Sequence, residues 1–170
     1  MKGDLVLRFF VLLLAVALLL GFGGCAPAQG DYFSPFQGEF TARIEGEWHA
    51  VAFEAVLFAS APDGEGAREM TVTFYAPDSL SGTVLHRDAA GGITLGTQGL
   101  FLPLSGKAAQ GYGALFALFP TAGAVQSITR EGENTRLTGE GFSLLFAPDG
   151  TPLAAENTVA RVEIKDWEMR

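Results

Sequence analysis

The chain lacks paired thiols, basic clusters and repeats, and each absence removes a class of function. Cysteine occurs once, at Cys25, which excludes an intrachain disulfide framework and a multi-thiolate metal site. Eleven basic residues stand against 19 acidic ones, for a formal net charge of −8. Nowhere do Lys and Arg gather, which argues against nucleic acid and against electrostatic adhesion to anionic lipid. No internal repeat or low-complexity tract interrupts the 170 residues. That length suits one domain with a core built from apolar side chains alone.

What is present begins at the N-terminus. Lys2 and Arg8, diluted by Asp4, precede Phe9–Leu20, where every residue is apolar, and Gly21-Phe22-Gly23-Gly24 then leads into Cys25. A charged head, an apolar centre and small residues at the end form the layout of a secretory signal. Its close resembles the lipobox of bacterial lipoproteins, with Phe22 standing where that motif usually has Leu. The resemblance implies that residues 1–24 are a signal peptide and that Cys25 becomes the acylated first residue of an extracytoplasmic, membrane-anchored chain. Removing Lys2, Arg8 and Asp4 makes the remainder one unit more acidic. A diacylglyceryl group supplies at least two chains, and multiple chains hold a protein stably where one does not. Two other readings stay open: a transmembrane anchor, for which the run is short of about 20 residues, and a soluble secretory signal, which leaves a lone free cysteine unexplained.

Residues 25–37 read as an extended tether that ends in an apolar clip (Tyr32, Phe33, Phe36), because three aromatics so close together are costly to expose. From residue 38 to 170 the period is two, the mark of strands. Phe40, Ala42 and Ile44 alternate with Glu39, Thr41, Arg43 and Glu45, and Gly46 is expected to interrupt the strand. Trp48–Ala59 follows with Val51, Phe53, Ala55 and Leu57 on one face. After the turn at 61–66, Met70, Val72 and Phe74 alternate with polar neighbours in Arg68–Tyr75. Short strands are expected at Gly82–Arg87, Gly92–Thr97, Ala124–Arg130 and Asn134–Thr138, and Gly141–Phe146 is expected to meet Thr158–Lys165 across the turn 147–152. Gly99–Leu104 is an apolar knot. Only Lys107–Phe119 reads as helix, weakened by Gly111 and Gly113 at about 1 kcal/mol each and ended by Pro120. The fold class is therefore mainly β, an antiparallel sheet or barrel with one short helix.

A many-stranded, single-helix domain behind a lipobox resembles the LolA/LolB-like lipoprotein-carrier superfamily, and is similar to small lipoproteins of spore-forming bacteria. The residues that carry the likeness are the opening strand Phe40–Glu47, the strand–Ala76-Pro77–strand step, Gly99–Leu104 with its helix, and the closing segment Phe142–Trp167. The resemblance implies a strongly curved antiparallel sheet, a half-barrel, with the helix as its lid.

Catalytic patterns are weak. His49 and His86, both expected on strands, have no second ligand at metal-binding spacing. The pairs Glu45/Glu47, Glu131/Glu133 and Asp63/Glu65 are carboxylates without a defined cleft. Ser143 lacks the second glycine of a nucleophile elbow, and Asp149-Gly150 lacks the alternating acids of a calcium loop. Gly91-Gly92 and Gly111-x-Gly113 do not lie between strand and helix as phosphate loops do. No enzyme activity, metal or cofactor is expected.

The remaining signal is apolar excess. Phe53, Phe74, Leu100, Phe101, Leu115, Phe116 and Phe119 either form a packed core or line a concavity that takes a lipid or acyl group. Leu100–Leu102 and Leu115–Phe119 are expected to form the lid. Arg43 and Arg161 interrupt strand faces, either pairing with a neighbouring Glu or holding a headgroup. The expected function is that of a non-enzymatic lipoprotein which binds an apolar ligand or assists envelope assembly. The other reading is an interaction protein with a packed core that meets an envelope protein through a sheet edge or its acidic face.

Overall fold

The computed structural model describes residues 31–170, so the signal segment, Cys25 and the first part of the tether, residues 25–30, lie outside the described residues. Period-two alternation becomes eleven antiparallel strands in a single open, curved sheet. The first six are β1 (Phe40–Trp48), β2 (Val51–Ala59), β3 (Met70–Ala76), β4 (Thr83–Arg87), β5 (Ile93–Thr97) and β6 (Leu100–Leu104). A helix, α1 (Gly106–Phe116), leads to β7 (Val125–Glu131), β8 (Asn134–Gly139), β9 (Phe142–Phe146), β10 (Pro152–Glu156) and β11 (Ala160–Met169). The spatial order is β6-β5-β4-β3-β2-β1-β11-β10-β9-β8-β7. Two meanders are thus joined along the β1–β11 seam, and β6 and β7 form the two edges.

The inward-facing residues match the alternation. Phe40, Ala42 and Ile44 of β1, Phe53, Ala55 and Leu57 of β2, and Met70, Val72 and Phe74 of β3 are all buried. Val51, on the same strand face in sequence, is exposed at the end of its strand. Helix α1 packs on β4 and β5 and buries Leu115 and Phe116. Gly113 faces β5, where a Cβ would lie 3.4 Å from Ile93 Cδ1, an ordinary packing distance. The helix ends at Phe116, and Leu118 and Phe119 continue into the core beyond it.

Several expectations are corrected. Gly46 does not interrupt β1 but lies inside it, opposite Val162. The second strand starts at Val51, because His49 and Ala50, with φ of 49° and 62°, form the two-residue turn between Trp48 and Val51. Positive φ at both central residues marks the tight hairpin turn whose twist suits flanking strands. Gly99–Leu104 is not a knot, because Leu100–Leu104 pairs with β5 as an edge strand across a similar turn at Gln98 and Gly99. Strand β10 intervenes between β9 and β11; its Pro152 occupies the first position, where the missing N–H is tolerated. The expected extended tether is a 3-10 helix over Asp31–Phe36. Three residues per turn bring Phe33 and Phe36 to one side, and both enter the core.

The His49-Ala50 turn gives a direct test. An alanine in the left-handed region costs about 1 kcal/mol relative to glycine, so Ala50→Gly is expected to raise stability by about that amount. A chemical-denaturation midpoint at or below the wild-type value would contradict the assigned turn.

Candidate functional site: the uncovered inner wall at the β6 edge

Cross-strand register defines a continuous inward row, Leu57–Val72–Leu85–Leu95–Leu102. Leu57, Val72 and Leu85 are buried and Leu95 is half-buried, whereas Leu102 at the edge is 61% exposed. Leu100, two residues away and on the same face, is 69% exposed. The inner wall therefore extends past the cover of α1 and ends in open leucines. On the opposite face Phe101 is 66% exposed and lies over Gly96, where an added Cβ would come within 2.8 Å of the ring. No charged residue occurs from Ala89 to Gly106, so this corner of an acidic protein is uncharged.

The seven candidate apolar residues divide between two places. Phe53, Phe74, Leu115, Phe116 and Phe119 are buried in the core cluster, where the Phe53 and Phe74 rings meet edge to face at 5.6 Å. Leu100 and Phe101 lie on the open edge. Trp48 packs on Tyr112 of α1, with ring centroids 4.7 Å apart. Asn157 Nδ2 donates to Ala114 O at 2.7 Å, fastening the helix to the loop before β11. The edge leucines are accessible with the helix in place.

Two features escaped the sequence reading. Phe36 is fully buried and touches the rings of Phe40, Phe119, Phe146 and Trp167. Arg68, only 4% exposed, donates through Nη1 to Phe36 O at 2.9 Å and through Nη2 to Phe119 O. Its guanidinium carbon lies 5.0 Å from the Phe40 ring centroid. Burial, with a smaller contribution from Arg87, pushes its pKa down to about 10. Parity was the available signal, since Arg68 shares the strand phase of Met70, Val72 and Phe74. Beside the 3-10 helix is a surface groove of about 510 Å³, lined in part by Tyr32, Pro35, Phe146, Pro148, Trp167 and Met169.

The polar candidates do not converge. His49 occupies a hairpin turn, and His86 Nδ1 is 3.2 Å from Thr71 Oγ1 on a different hairpin. Glu45 and Glu163 both reach Lys165, at 3.5 and 2.6 Å. The hydrogen bond from Lys165 holds the Glu163 carboxyl below its ordinary pKa. Glu131 is similarly lowered by its hydrogen bonds from Arg136, while Glu133 lies in the β7–β8 turn. Asp63 Oδ1 accepts from the backbone N–H groups of Glu65 and Ala67, and Asp149 Oδ1 accepts from Thr151 N–H. Ser143 Oγ accepts from Arg136. Arg43 pairs with Glu54 at 3.3 Å, and Arg161 stands in register with Glu47 and Glu156. Among the described residues no group of three His, Cys, Asp or Glu could hold a metal ion, and no helix is long and apolar enough to cross a membrane.

No family model and no curated protein matches the chain. Among solved structures it is similar to an uncharacterized conserved protein from Thermus thermophilus, with 16% identity, 82% of this chain and 83% of that one covered, and a TM-score of 0.49. It is also similar to MucB, with 14% identity over 83% of this chain and a TM-score of 0.49, and spans 58% of MucB's length. A LolA superfamily protein from Nitrosomonas europaea gives 10% identity, coverage of 85% and 94%, and a TM-score of 0.42.

Proposed function

We propose that the chain is a non-enzymatic, extracytoplasmic lipoprotein, anchored through acylated Cys25, that takes an apolar ligand, a lipid or acyl group, on the uncovered inner wall along β6. The observation that carries this reading is the inward row that runs from buried Leu85 to open Leu102, flanked by Leu100. Five of the expected lining residues are committed to core packing, so the ligand extends the core at its edge rather than filling its centre. Affinity comes from burying methylenes at about 0.8 kcal/mol each.

The test is displacement of a fluorescent fatty acid from the purified full chain. Wild type is expected to bind, and the Leu100→Asp/Leu102→Asp double variant to bind at least roughly tenfold more weakly, since tenfold corresponds to about 1.4 kcal/mol and each leucine contributes more than that when buried. Equal binding by the two, or none by wild type, would remove the assignment. A second reading is favoured by one further observation: β6 is an edge strand, so a protein partner could add a strand there. Stoichiometric co-purification of such a partner would support it.

A further inference from the structure

The β5–β6 corner has a property that an acyl-binding wall alone does not require, because it is apolar on both faces. Leu100 and Leu102 are open on the inner side, and Phe101 is open on the outer side with Pro103 also exposed. A groove or an added strand engages one side or one edge of a hairpin, whereas a lipid phase surrounds it. We propose that this corner contacts the membrane, resting in the interfacial zone of a bilayer with Leu100, Phe101 and Leu102 among the upper acyl segments. The proposal rests on the reading of the chain as a membrane lipoprotein and adds a second contact to the acyl anchor.

Three observations choose bilayer over protein. First, the stretch Ala89–Gly106 carries no charge although the chain has a net charge of −8, so the corner enters lipid without desolvating an ion. Lys107, immediately beyond it, has a long stem suited to keeping its ammonium in the headgroups. Second, the tight turn makes Thr97 and Leu100 a hydrogen-bonded pair, and by alternation the N–H groups of Leu100 and Leu102 face β5. The outward positions are Phe101 and Pro103, and Pro103 has no N–H. One donor that an added strand needs is therefore missing, and one that would be stripped of water in lipid is missing for the same reason. Third, the opposite edge contrasts with this one: β7 carries Arg130 and Glu131, charges of the kind that protect an edge in water.

The test uses the full acylated chain in phosphatidylcholine vesicles. Cys25 is the only native cysteine, so Gln98→Cys and Glu133→Cys each take a single environment-sensitive dye, the second reporting on the charged edge. The Gln98 dye is expected to emit at shorter wavelength and to be quenched by lipid-borne quenchers, and the Glu133 dye to remain in water. Adding Leu100→Ser, Phe101→Ser and Leu102→Ser should return the Gln98 dye to its aqueous emission without releasing the chain from the vesicles. A Gln98 dye in water, or one shielded by a bound strand-adding protein instead of lipid, overturns the proposal. Vesicle flotation reports separately on the anchor, and fatty-acid displacement on the ligand reading, so the failure of each is distinguishable.

Discussion

Replacing Arg68 by alanine is expected to cost about 4 kcal/mol and to loosen the N-terminal clip before the sheet unfolds. Arg68 is the single charged or polar residue buried among the described residues, and it serves two carbonyls that α-helix and sheet leave unpaired, Phe36 O and Phe119 O. Each buried acceptor left unsatisfied costs about 1–3 kcal/mol, and the stem's packing on Phe40 is lost as well. Arg68→Met should recover the packing but not the two hydrogen bonds. Urea denaturation gives the stability change, and hydrogen exchange at residues 32–36 should rise selectively. Wild-type stability with unchanged exchange would show that the buried guanidinium does not fasten this segment.

The pH dependence of that loss is defined by sign. Folding lowers the Arg68 pKa to about 10, so the folded state binds this proton less tightly than the unfolded state does. The charging cost is fully present below the folded value and is relieved as pH rises through it. The stability difference between wild type and Arg68→Ala should therefore stay constant from about pH 5 to 9, where arginine remains charged in both states. A steep change within that range would point to another titrating group.

Gly46→Ala is expected to destabilise by about 3 kcal/mol, at the upper end of overpacking effects. An ideal Cβ at Gly46 would lie 2.1 Å from Arg161 O and 2.8 Å from Val162 Cα. Both are backbone atoms, so neither can rotate away, and relief requires the β1–β11 seam to part where the two meanders join. Gly96→Ala offers the contrast. There the obstruction is the exposed Phe101 ring, within 2.8–2.9 Å, which can swing aside at a cost of about 1 kcal/mol. Equal losses in the two variants, measured by denaturant midpoint, would contradict this distinction.

These residues separate what local pattern encodes from what it does not. Alternation placed Phe40, Ala42, Ile44, Met70, Val72 and Phe74 on one face because a strand's side chains must alternate, whatever lies beyond them. The same parity pointed Arg68 inward, but its two carbonyl partners lie 32 and 51 residues away, beyond any local window. Gly46 read as an interruption because its use, a close approach of β11, is invisible until two distant strands meet. His49 read as a strand residue because His49-Ala50 lacks the Asn-Gly or Asp-Gly signature of a two-residue hairpin turn.

A thiol-poor, acidic, mainly β domain with one helix and without a convergent catalytic motif was legible from composition and side-chain period, because both are local properties. The signal-like N-terminus and Cys25 set an expectation of membrane attachment. Tertiary structure alone decided which apolar residues are core and which are surface. Phe53, Phe74, Leu115, Phe116 and Phe119 are enclosed in one core cluster, while Leu100, Phe101 and Leu102 stand at the sheet's end. Hydrophobicity fixes the tendency to leave water, but strand order and the reach of one eleven-residue helix fix which side chains are covered.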